Sequence, residues 1–415
     1  MLAIMKKLER NLWRYKLYLA ILHTPLFLPI LTLFWQENGL DLFDIYVLQG
    51  LFAVAVVFLE VPTGMIADRI GKRISLLLGT ATLCFGMVVY ALGSSFAVFL
   101  MAEIIFALGI ALISGADSAL LYDTLHALGR QDEYAAIEGR ARSWQMLSFA
   151  LSNILGGIVG SYDYRAAIWL STLGPLIALW LALGFVEVQT ADKKKAPESS
   201  WKAAWASYLG LLKDAWKFVR KHQLVRWYIL VLSVLTGTGT WLLWLMQPYM
   251  KASKLPIWAF GIAFAIFNFS AAFFSRFAGK LQVYLKDRSL AALLFGLQSL
   301  PLFLMAWIFH PLGFLFILGG QAVRAWARPI ISQQILAYTY RDKRATVLSF
   351  TSLGSRLFFA VTSPFIGLIS KNTSLAFTLN TQGFLVIACF VVLIAIHKFI
   401  PLKYFRLKSS VEIHQ

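Results

Sequence analysis

The stretch Gly64-Met65-Ile66-Ala67-Asp68-Arg69-Ile70-Gly71-Lys72-Arg73 places four charges and two glycines in a short turn between two long apolar runs. The run before it covers residues 42–61, and the run after it covers residues 74–92. Each run approaches the ~20 apolar residues that a helix needs to cross a bilayer. The stretch therefore predicts a short loop between two membrane-spanning helices, with its cations on the cytoplasmic side.

The composition excludes a water-soluble protein. Hydrophobic residues make up 59% of the 415 residues and charged residues only 14%, and the mean hydropathy is +0.70. These values predict a polytopic membrane protein. The net charge of +18 does not indicate nucleic-acid binding, because the basic residues cluster in short segments between apolar runs. Cys84 and Cys389 both fall inside apolar runs, so we expect neither a disulfide nor a thiolate metal site.

Apolar runs and their breaks predict twelve transmembrane helices. With a cytoplasmic N-terminus and no removable signal peptide, an even number of spans returns the C-terminus to the cytoplasm. Most lysines and arginines then lie on the inner side, which supports this count, and we place the chain in the inner (plasma) membrane of a bacterium. The predicted spans are 15–36, 42–66, 74–93, 95–121, 143–161, 165–187, 224–246, 257–278, 290–309, 312–337, 346–369 and 375–397.

A polar segment at 191–200 separates two groups of six spans. The sequence thus predicts an N-terminal six-helix bundle over 1–190, a cytoplasmic linker over 191–223 and a C-terminal six-helix bundle over 224–415. Within the linker, aromatic and apolar residues from Trp201 to Val219 recur at spacings of three and four. This pattern is typical of an amphipathic helix on the inner membrane surface.

The order Gly-x-x-Ala-Asp-Arg-x-Gly-Lys-Arg between spans two and three resembles the signature loop of the major facilitator superfamily of secondary transporters. The resemblance extends to the number of spans and the central linker, and it implies an all-α fold of two pseudo-symmetric six-helix bundles around a cavity. It also implies roles for the gate motif, in which Gly64 permits close helix approach and Asp68 anchors against a neighbouring helix end. Arg69 and Arg73 would hold the inner gate near acids such as Asp123 or Glu138. Gly71 completes the motif.

Two departures from the family pattern stand out. Span five has the glycines of Ser152-Asn153-Ile154-Leu155-Gly156-Gly157 without the proline that antiporter branches usually carry there. In span four, Glu103 stands where many drug-exporting relatives have an arginine, so the role of that arginine does not transfer.

Charged residues inside predicted spans are candidate functional groups, because a charge at mid-bilayer costs about 2.5–3.5 kcal/mol on insertion scales. Glu60 lies in span two, and Glu103 and Asp117 lie in span four. A continuous helix would place Glu103 and Asp117 on about the same face, since about four helical turns separate them. All three are candidate proton-coupling groups. An inter-helix ion pair with an arginine across the cavity is the alternative for Glu103 and Asp117.

The second half of the chain supplies basic and aromatic candidates. Gln321, Arg324 and Arg328 share one stripe of span ten, and Arg356 lies in span eleven. Guanidinium groups suit carboxylate or phosphate ligands, which makes these residues candidate substrate-binding groups. Trp241 and Trp244 in span seven form either an aromatic wall of the binding cavity or part of the outer aromatic belt.

These features predict a secondary active transporter that moves a small organic solute by alternating access, with proton-coupled export as the leading interpretation. An anionic solute moved in either direction, or a lipid, is the alternative, and a scaffold that transports nothing has the least support. The expected partners are the solute, protons and the lipid bilayer, with a monomeric chain and no nucleic acid. We find no Gly-rich phosphate loop and no metal-binding motif, so we expect neither an enzyme nor a cofactor or metal site.

Overall fold

The computed structural model describes residues 2–188, 201–284 and 287–399. The polar linker predicted at 191–200 lies outside these residues. The described residues form helices and no strands. The helices are α1 (Leu2–Leu22), α2 (Leu31–Glu37), α3 (Leu42–Ile70), α4 (Lys72–Leu92), α5 (Phe96–Ile113), α6 (Ala116–Ala127), α7 (Tyr134–Gly160), α8 (Tyr164–Ser171), α9 (Leu173–Leu183), α10 (Trp201–Lys221), α11 (Gln223–Ala252), α12 (Ile257–Ser275), α13 (Ala278–Tyr284), α14 (Asp287–Trp307), α15 (Leu318–Ala337), α16 (Arg344–Asn372) and α17 (Leu375–Lys398).

The predicted all-α membrane architecture is confirmed. Every predicted span falls on one helix or on two consecutive helical segments. Within the described residues, nine of these segments are long and apolar enough to cross a membrane. The predicted spans outside that set are 15–36, 143–161 and 312–337. Each of these contains polar residues, which lower its hydropathy, or a break in its helix. The positions of all three in the order of spans are consistent with a count of twelve spans.

The chain folds into two compact units. Unit 1 comprises Met1–Leu40, Leu51–Trp205 and Pro256–Ala265, and unit 2 comprises Asp41–Gly50, Ala206–Leu255 and Ile266–Gln415. Each unit thus takes most of one predicted six-span half and one short segment from the other. Both units expose large apolar side chains, such as Phe58 and Phe85 in unit 1 and Phe365 and Phe384 in unit 2. Such side chains suit a protein surrounded by lipid rather than by water.

Close glycine contacts hold the helices of unit 1 together. A Cβ atom at Gly79 of α4 would lie 2.9 Å from the carbonyl oxygen of Gly109 in α5. The backbones of these two helices therefore pack at a distance that side chains would prevent. In α7, a Cβ atom at Gly156 would overlap the carbonyl oxygen of Leu26. This contact presses α7 against the non-helical segment that follows α1.

Three predicted spans of unit 1 are interrupted, and the breaks in the first and fourth spans lie at the site described below. The first span leaves helical geometry between α1 and α2, where Pro25 removes a backbone donor. The fourth span ends at Ile113 and restarts at Ala116, because Gly115 has a φ of 80°. Only glycine adopts this left-handed conformation without strain.

Unit 2 packs around α11, whose apolar residues are mostly buried. This helix contacts α14, α15, α16 and α17. The predicted amphipathic helix of the linker is present as α10, and its buried face is formed by Ala215, Phe218 and Val219. The ring of Trp216 lies 6.0 Å from the ring of Phe350 in α16. One face of α10 is thus docked on unit 2, and its position on the membrane surface stays a prediction.

Candidate functional site

Unit 1 contains a cavity of about 530 Å³ beside the breaks in the first and fourth spans. This volume lies within the range of small-molecule binding sites. Most of its wall is apolar, and the polar exceptions include His23, Ser118, Asp117 and Arg142. The lining residues are Leu22, His23, Thr24, Pro25, Phe27, Leu28, Leu83, Met87, Phe106, Ile110, Ile113, Ser114, Gly115, Asp117, Ser118, Arg142, Phe149, Ser171 and Pro175.

A charged cluster lies in the wall of this cavity. Nη2 of Arg142 lies 3.0 Å from Oδ2 of Asp117, and Nε of the same arginine lies 2.9 Å from Oε1 of Glu138. The side chain of Asp117 is 9% exposed and that of Arg142 is 36% exposed. One guanidinium group therefore neutralises one of two carboxylates, and the cluster carries a net charge of −1 when both are ionised.

Hydrogen bonds extend the cluster to α1 and α6. The hydroxyl of Tyr15 donates to Oε2 of Glu138 at 2.5 Å. The backbone N–H of Ser118 donates to Oδ1 of Asp117 at 2.7 Å. Both carboxylates thus accept donors besides Arg142, and these donors fix their orientation toward the guanidinium group.

Sequence reasoning identified Asp117 as a site residue and named Glu138 only as an acid of the inner gate, and it missed Arg142 and Tyr15. Asp117 does form an inter-helix ion pair with an arginine, but its partner is Arg142 of the same unit. One signal was available, because Glu138 and Arg142 have the i, i+4 spacing that favours an ion pair on a helix. Tyr15 carried no such signal, since its contact with Glu138 depends on how α1 packs against α7.

The prediction that Glu103 and Asp117 share one helical face is wrong. The break at Gly115 places the two residues on separate helices, α5 and α6. Glu103 is 6% exposed and accepts a hydrogen bond from the hydroxyl of Tyr90 in α4. It lies in the packing of α4 against α5, and it is not among the residues that line the cavity.

Glu60 lies on an exposed part of α3, two residues before Pro62. It is not among the residues that line the cavity of unit 1. Of the three candidate proton-coupling residues, Asp117 is therefore the one whose carboxylate reaches this cavity.

Unit 2 contains a smaller cavity, of about 280 Å³. It brings together Gln321, Arg324 and Arg328, as the shared stripe on span ten predicted. Gln298 of α14 and Thr240 of α11 complete its polar wall. Nη2 of Arg324 donates to Oδ1 of Asn268 in α12 at 3.1 Å. The remaining lining residues are Leu235, Thr236, Gly239, Leu242, Leu243, Met246, Phe267, Ile317, Gly320, Val323 and Ala327.

The other three substrate-binding candidates do not line this cavity. Trp241 is 2% exposed and Trp244 is 7% exposed. The indole N–H of Trp241 donates to Oγ1 of Thr362 in α16 at 3.1 Å. Both tryptophans are therefore buried, and the alternative that places them in an outer aromatic belt is wrong because belt residues face lipid. Arg356 is half-buried on α16.

The signature loop forms a tight junction between α3 and α4. Gly71 has a φ of 101° and precedes the first turn of α4. The carboxylate of Glu187 accepts the backbone N–H of Lys72 at 2.9 Å and that of Arg73 at 2.7 Å. A carboxylate at this position satisfies free N–H groups and interacts favourably with the positive end of the helix dipole. Glu187 is thus a structural partner of the loop that sequence reasoning missed.

In this structure, the basic residues of the loop contact other groups than the predicted ones. Lys72, rather than Arg69 or Arg73, forms the ion pair with Asp123. Arg73 donates from Nη2 to the carbonyl oxygen of Leu183 at 3.0 Å. Arg69 is exposed. The predicted contacts of Arg69 and Arg73 belong to the state closed to the cytoplasm, and for that state they stay a prediction.

The last two residues of the motif to be compared with the structure are Gly64 and Asp68. A Cβ atom at Gly64 would meet no described atom within 4 Å, so the close helix approach expected there is not observed. The side chain of Asp68 lies outside the described part of the structure.

The helical spans define a multi-pass integral membrane protein, and each of its two units contains a charged cavity. The sequence matches the profile of the Major Facilitator Superfamily over residues 19–325, and the chain belongs to this family of transporters. The uncharacterized MFS-type transporter YxaM of Bacillus subtilis (strain 168) is 22% identical over 391 residues, which cover 91% of this chain and 92% of YxaM.

The quinolone resistance protein NorA of Staphylococcus aureus is 20% identical over 187 residues, or 45% of this chain and 46% of NorA. The match thus spans about half the length of that relative. Among solved structures, the nucleoside transporter NupG aligns with a TM-score of 0.77 at 14% identity, covering 94% of this chain and 99% of NupG. A bacterial homologue of the human lysosomal transporter Spinster aligns with a TM-score of 0.66 at 16% identity, covering 99% and 97%. These structures share the fold of this chain.

Proposed function

We propose that this protein is a secondary active transporter that exports a small organic solute by alternating access, driven by protons entering at the charged cluster of unit 1. Membership of a transporter family supports the class of activity. The observation that carries the coupling mechanism is the Asp117–Arg142 pair in the wall of a mostly apolar cavity. Such a pair is held in place by electrostatic attraction that protonation of the carboxylate removes.

The cluster can exchange a proton for a solute in the following way. When Asp117 is ionised, its charge and the hydrogen bond from Ser118 hold the guanidinium group of Arg142 in the cavity wall. A proton on Asp117 cancels that attraction, and Arg142 then depends on Glu138 alone for neutralisation. Both the shape and the charge of the cavity change, so that proton and solute compete for one site.

Export is the direction that the partial match to NorA supports, because that relative is named as a resistance protein. The apolar wall of the cavity suits an amphipathic solute, since it is built from side chains such as Leu83, Met87, Phe106 and Phe149.

Proteoliposomes that contain the purified protein test the coupling. Ethidium, norfloxacin and 2-naphthoate serve as probes, and their movement is followed under an imposed pH gradient and in counterflow without a gradient. We expect Asp117→Asn to abolish the dependence of the rate on the pH gradient while counterflow persists. A neutral amide cannot take part in a protonation step but retains the size of the carboxylate.

Glu133→Gln is the matched control, because Glu133 is an exposed carboxylate that pairs with Arg130 at 2.6 Å in the loop before α7. We expect it to transport and respond to pH as the unaltered protein does. Retention of the full pH response in Asp117→Asn would remove this residue from the coupling mechanism.

A further inference from the structure

The two arginines that line the cavity of unit 2 differ from Arg142 in one respect. Arg142 contacts two carboxylates. The lining of the unit 2 cavity contains Arg324 and Arg328 but no aspartate or glutamate. Within the described residues, no ion pair involves either arginine. The positive charge of this cavity is therefore uncompensated by the described side chains around it.

A neutral side chain satisfies part of the hydrogen-bonding capacity of Arg324. Asn268 accepts one N–H of Arg324 at 3.1 Å. An amide oxygen orients a guanidinium group but does not neutralise it, and the side chains of Arg324 and Arg328 are exposed and accessible to a ligand. The contact with Asn268 thus fixes Arg324 in the cavity wall and leaves its other donors for a ligand.

The spacing of the arginines suits one anionic group. Arg324 and Arg328 are separated by one turn of α15, a rise of about 6 Å, and both line the same cavity. Two guanidinium groups at this spacing can each donate to the oxygens of a carboxylate or a phosphate. Gln298 lies beside them, and its amide fits closely because a Cβ atom at Gly239 would lie 3.3 Å from its Nε2 atom.

We propose that this cavity is an anion subsite, which binds a carboxylate or phosphate group of the transported solute through Arg324 and Arg328. The proposal rests on the transport function proposed above and specifies the chemical class of the solute. A volume of about 280 Å³ accommodates an anionic group with an attached ring. The anion can belong to a soluble organic acid or to a lipid headgroup, since both present the same chemistry to the arginines.

Binding to the purified full-length protein tests the subsite without any proton gradient. The probes are 2-naphthoate and 1-naphthyl phosphate, with uncharged 2-naphthamide and a naphthylmethylammonium cation as comparisons, and calorimetry and thermal unfolding measure their binding. We expect the two anions to bind and to raise the unfolding temperature more than the neutral or cationic probe. Arg324→Gln and Arg328→Gln should each weaken anion binding about tenfold.

Two further variants separate charge from geometry. Arg324→Lys keeps the charge and loses the planar fork, so we expect it to bind the anions with intermediate affinity. Arg276→Gln removes an arginine near the end of α12 that does not line the cavity, and it should bind them as the unaltered protein does. Equal binding of 2-naphthoate and 2-naphthamide, or unchanged anion affinity in both glutamine variants, would overturn the subsite.

The unfolding temperature without ligand supplies an independent readout. Replacing an uncompensated charge by glutamine should leave the unliganded protein as stable as before or make it more stable. A loss of binding in Arg324→Gln together with an unchanged or raised unfolding temperature therefore supports an anion site. A large fall in the unfolding temperature of both variants would instead assign the arginines a structural role and overturn the proposal.

Nanodiscs of defined composition distinguish the source of the anion. Binding of 2-naphthoate is compared in nanodiscs of phosphatidylglycerol and of phosphatidylcholine. If phosphatidylglycerol weakens binding to the unaltered protein but leaves the residual binding to Arg324→Gln unchanged, the subsite takes a lipid headgroup. If lipid composition has no effect, it takes a soluble solute. Failure of any anion to bind contradicts the subsite, and it leaves the proton-coupling test on Asp117 unaffected.

Discussion

The carboxylate of Asp117 lies 3.0 Å from the guanidinium group of Arg142, which approaches it from the next helix across the wall of the unit 1 cavity. Asp117 belongs to the first turn of α6 and Arg142 to the third turn of α7. The contact exists because Gly115 ends α5 and turns the chain, so that α6 starts beside α7. The turn at Gly115 thus brings Asp117 to Arg142.

The stability of the cluster depends on Arg142, because this residue separates and neutralises two carboxylates. In Arg142→Gln, Asp117 and Glu138 lose their shared countercharge and repel each other. We expect a loss of about 2 kcal/mol, less than for a fully buried pair since the arginine side chain is 36% exposed. Thermal unfolding of the purified protein in detergent at pH 7.5 measures this change as a lower unfolding temperature.

The triple variant Arg142→Gln, Asp117→Asn, Glu138→Gln is the control for this prediction. With all three charges removed, no repulsion remains, and most of the lost stability should return. If Arg142→Gln alone unfolds at the same temperature as the unaltered protein, the cluster contributes no net electrostatic stabilisation.

A second prediction concerns the cap that Glu187 provides for α4. Glu187→Ala leaves the backbone N–H groups of Lys72 and Arg73 without their carboxylate acceptor. We expect a loss of about 1 kcal/mol, as for other helix N-caps. This loss should appear as a lower unfolding temperature and as faster hydrogen exchange at the start of α4. Glu133→Gln, which removes an exposed carboxylate, is the control and should change neither quantity. Unchanged exchange over residues 72–76 in Glu187→Ala would show that water replaces the cap at no cost.

The sequence predicted the helical spans because the bilayer imposes a requirement that hydropathy reports directly. A segment that crosses lipid must satisfy its backbone internally and present apolar side chains. The signature loop likewise indicated the family, since its residues are adjacent in the chain. The stripe of Gln321, Arg324 and Arg328 was predictable for the same reason, because helical periodicity alone places them together.

The contacts between distant residues could not be predicted in this way. Glu103 and Asp117 looked equivalent as acids within one apolar run, but one packs against Tyr90 and the other lines a cavity. The difference arises at Gly115, whose left-handed conformation no hydropathy pattern reports. The acid that caps α4 was missed because Glu187 is far from the loop in sequence.

A third prediction compares two glycines of the same helix. A Cβ atom at Gly156 would overlap the carbonyl oxygen of Leu26, whereas one at Gly139 would meet nothing within 4 Å. Gly156→Ala should therefore separate α7 from the segment after α1 and cost about 1–3 kcal/mol, as overpacking does. Gly139→Ala should leave stability unchanged or raise it by up to about 1 kcal/mol, because alanine favours the helix.

The yield of monodisperse protein and its unfolding temperature measure both glycine variants. Equal unfolding temperatures for Gly156→Ala and Gly139→Ala would mean that α7 can shift without loss, and that the close contact with Leu26 is not required for the fold.

The last prediction concerns Asp68, the acid of the signature loop. Family membership and the motif support an inner gate in which Asp68 contacts the start of a neighbouring helix when the cytoplasmic side is closed. Loss of a single ionic contact near a protein surface typically costs only about 1 kcal/mol, but this shifts a near-balanced equilibrium about fivefold. Asp68→Asn should therefore fold normally, favour the inward-open state and turn over more slowly. Spin-label distances between the cytoplasmic ends of spans two and eleven measure the shift, and Asp132→Asn, in an exposed loop, is the control. An unchanged distance distribution in Asp68→Asn would leave this acid only a role in membrane topology.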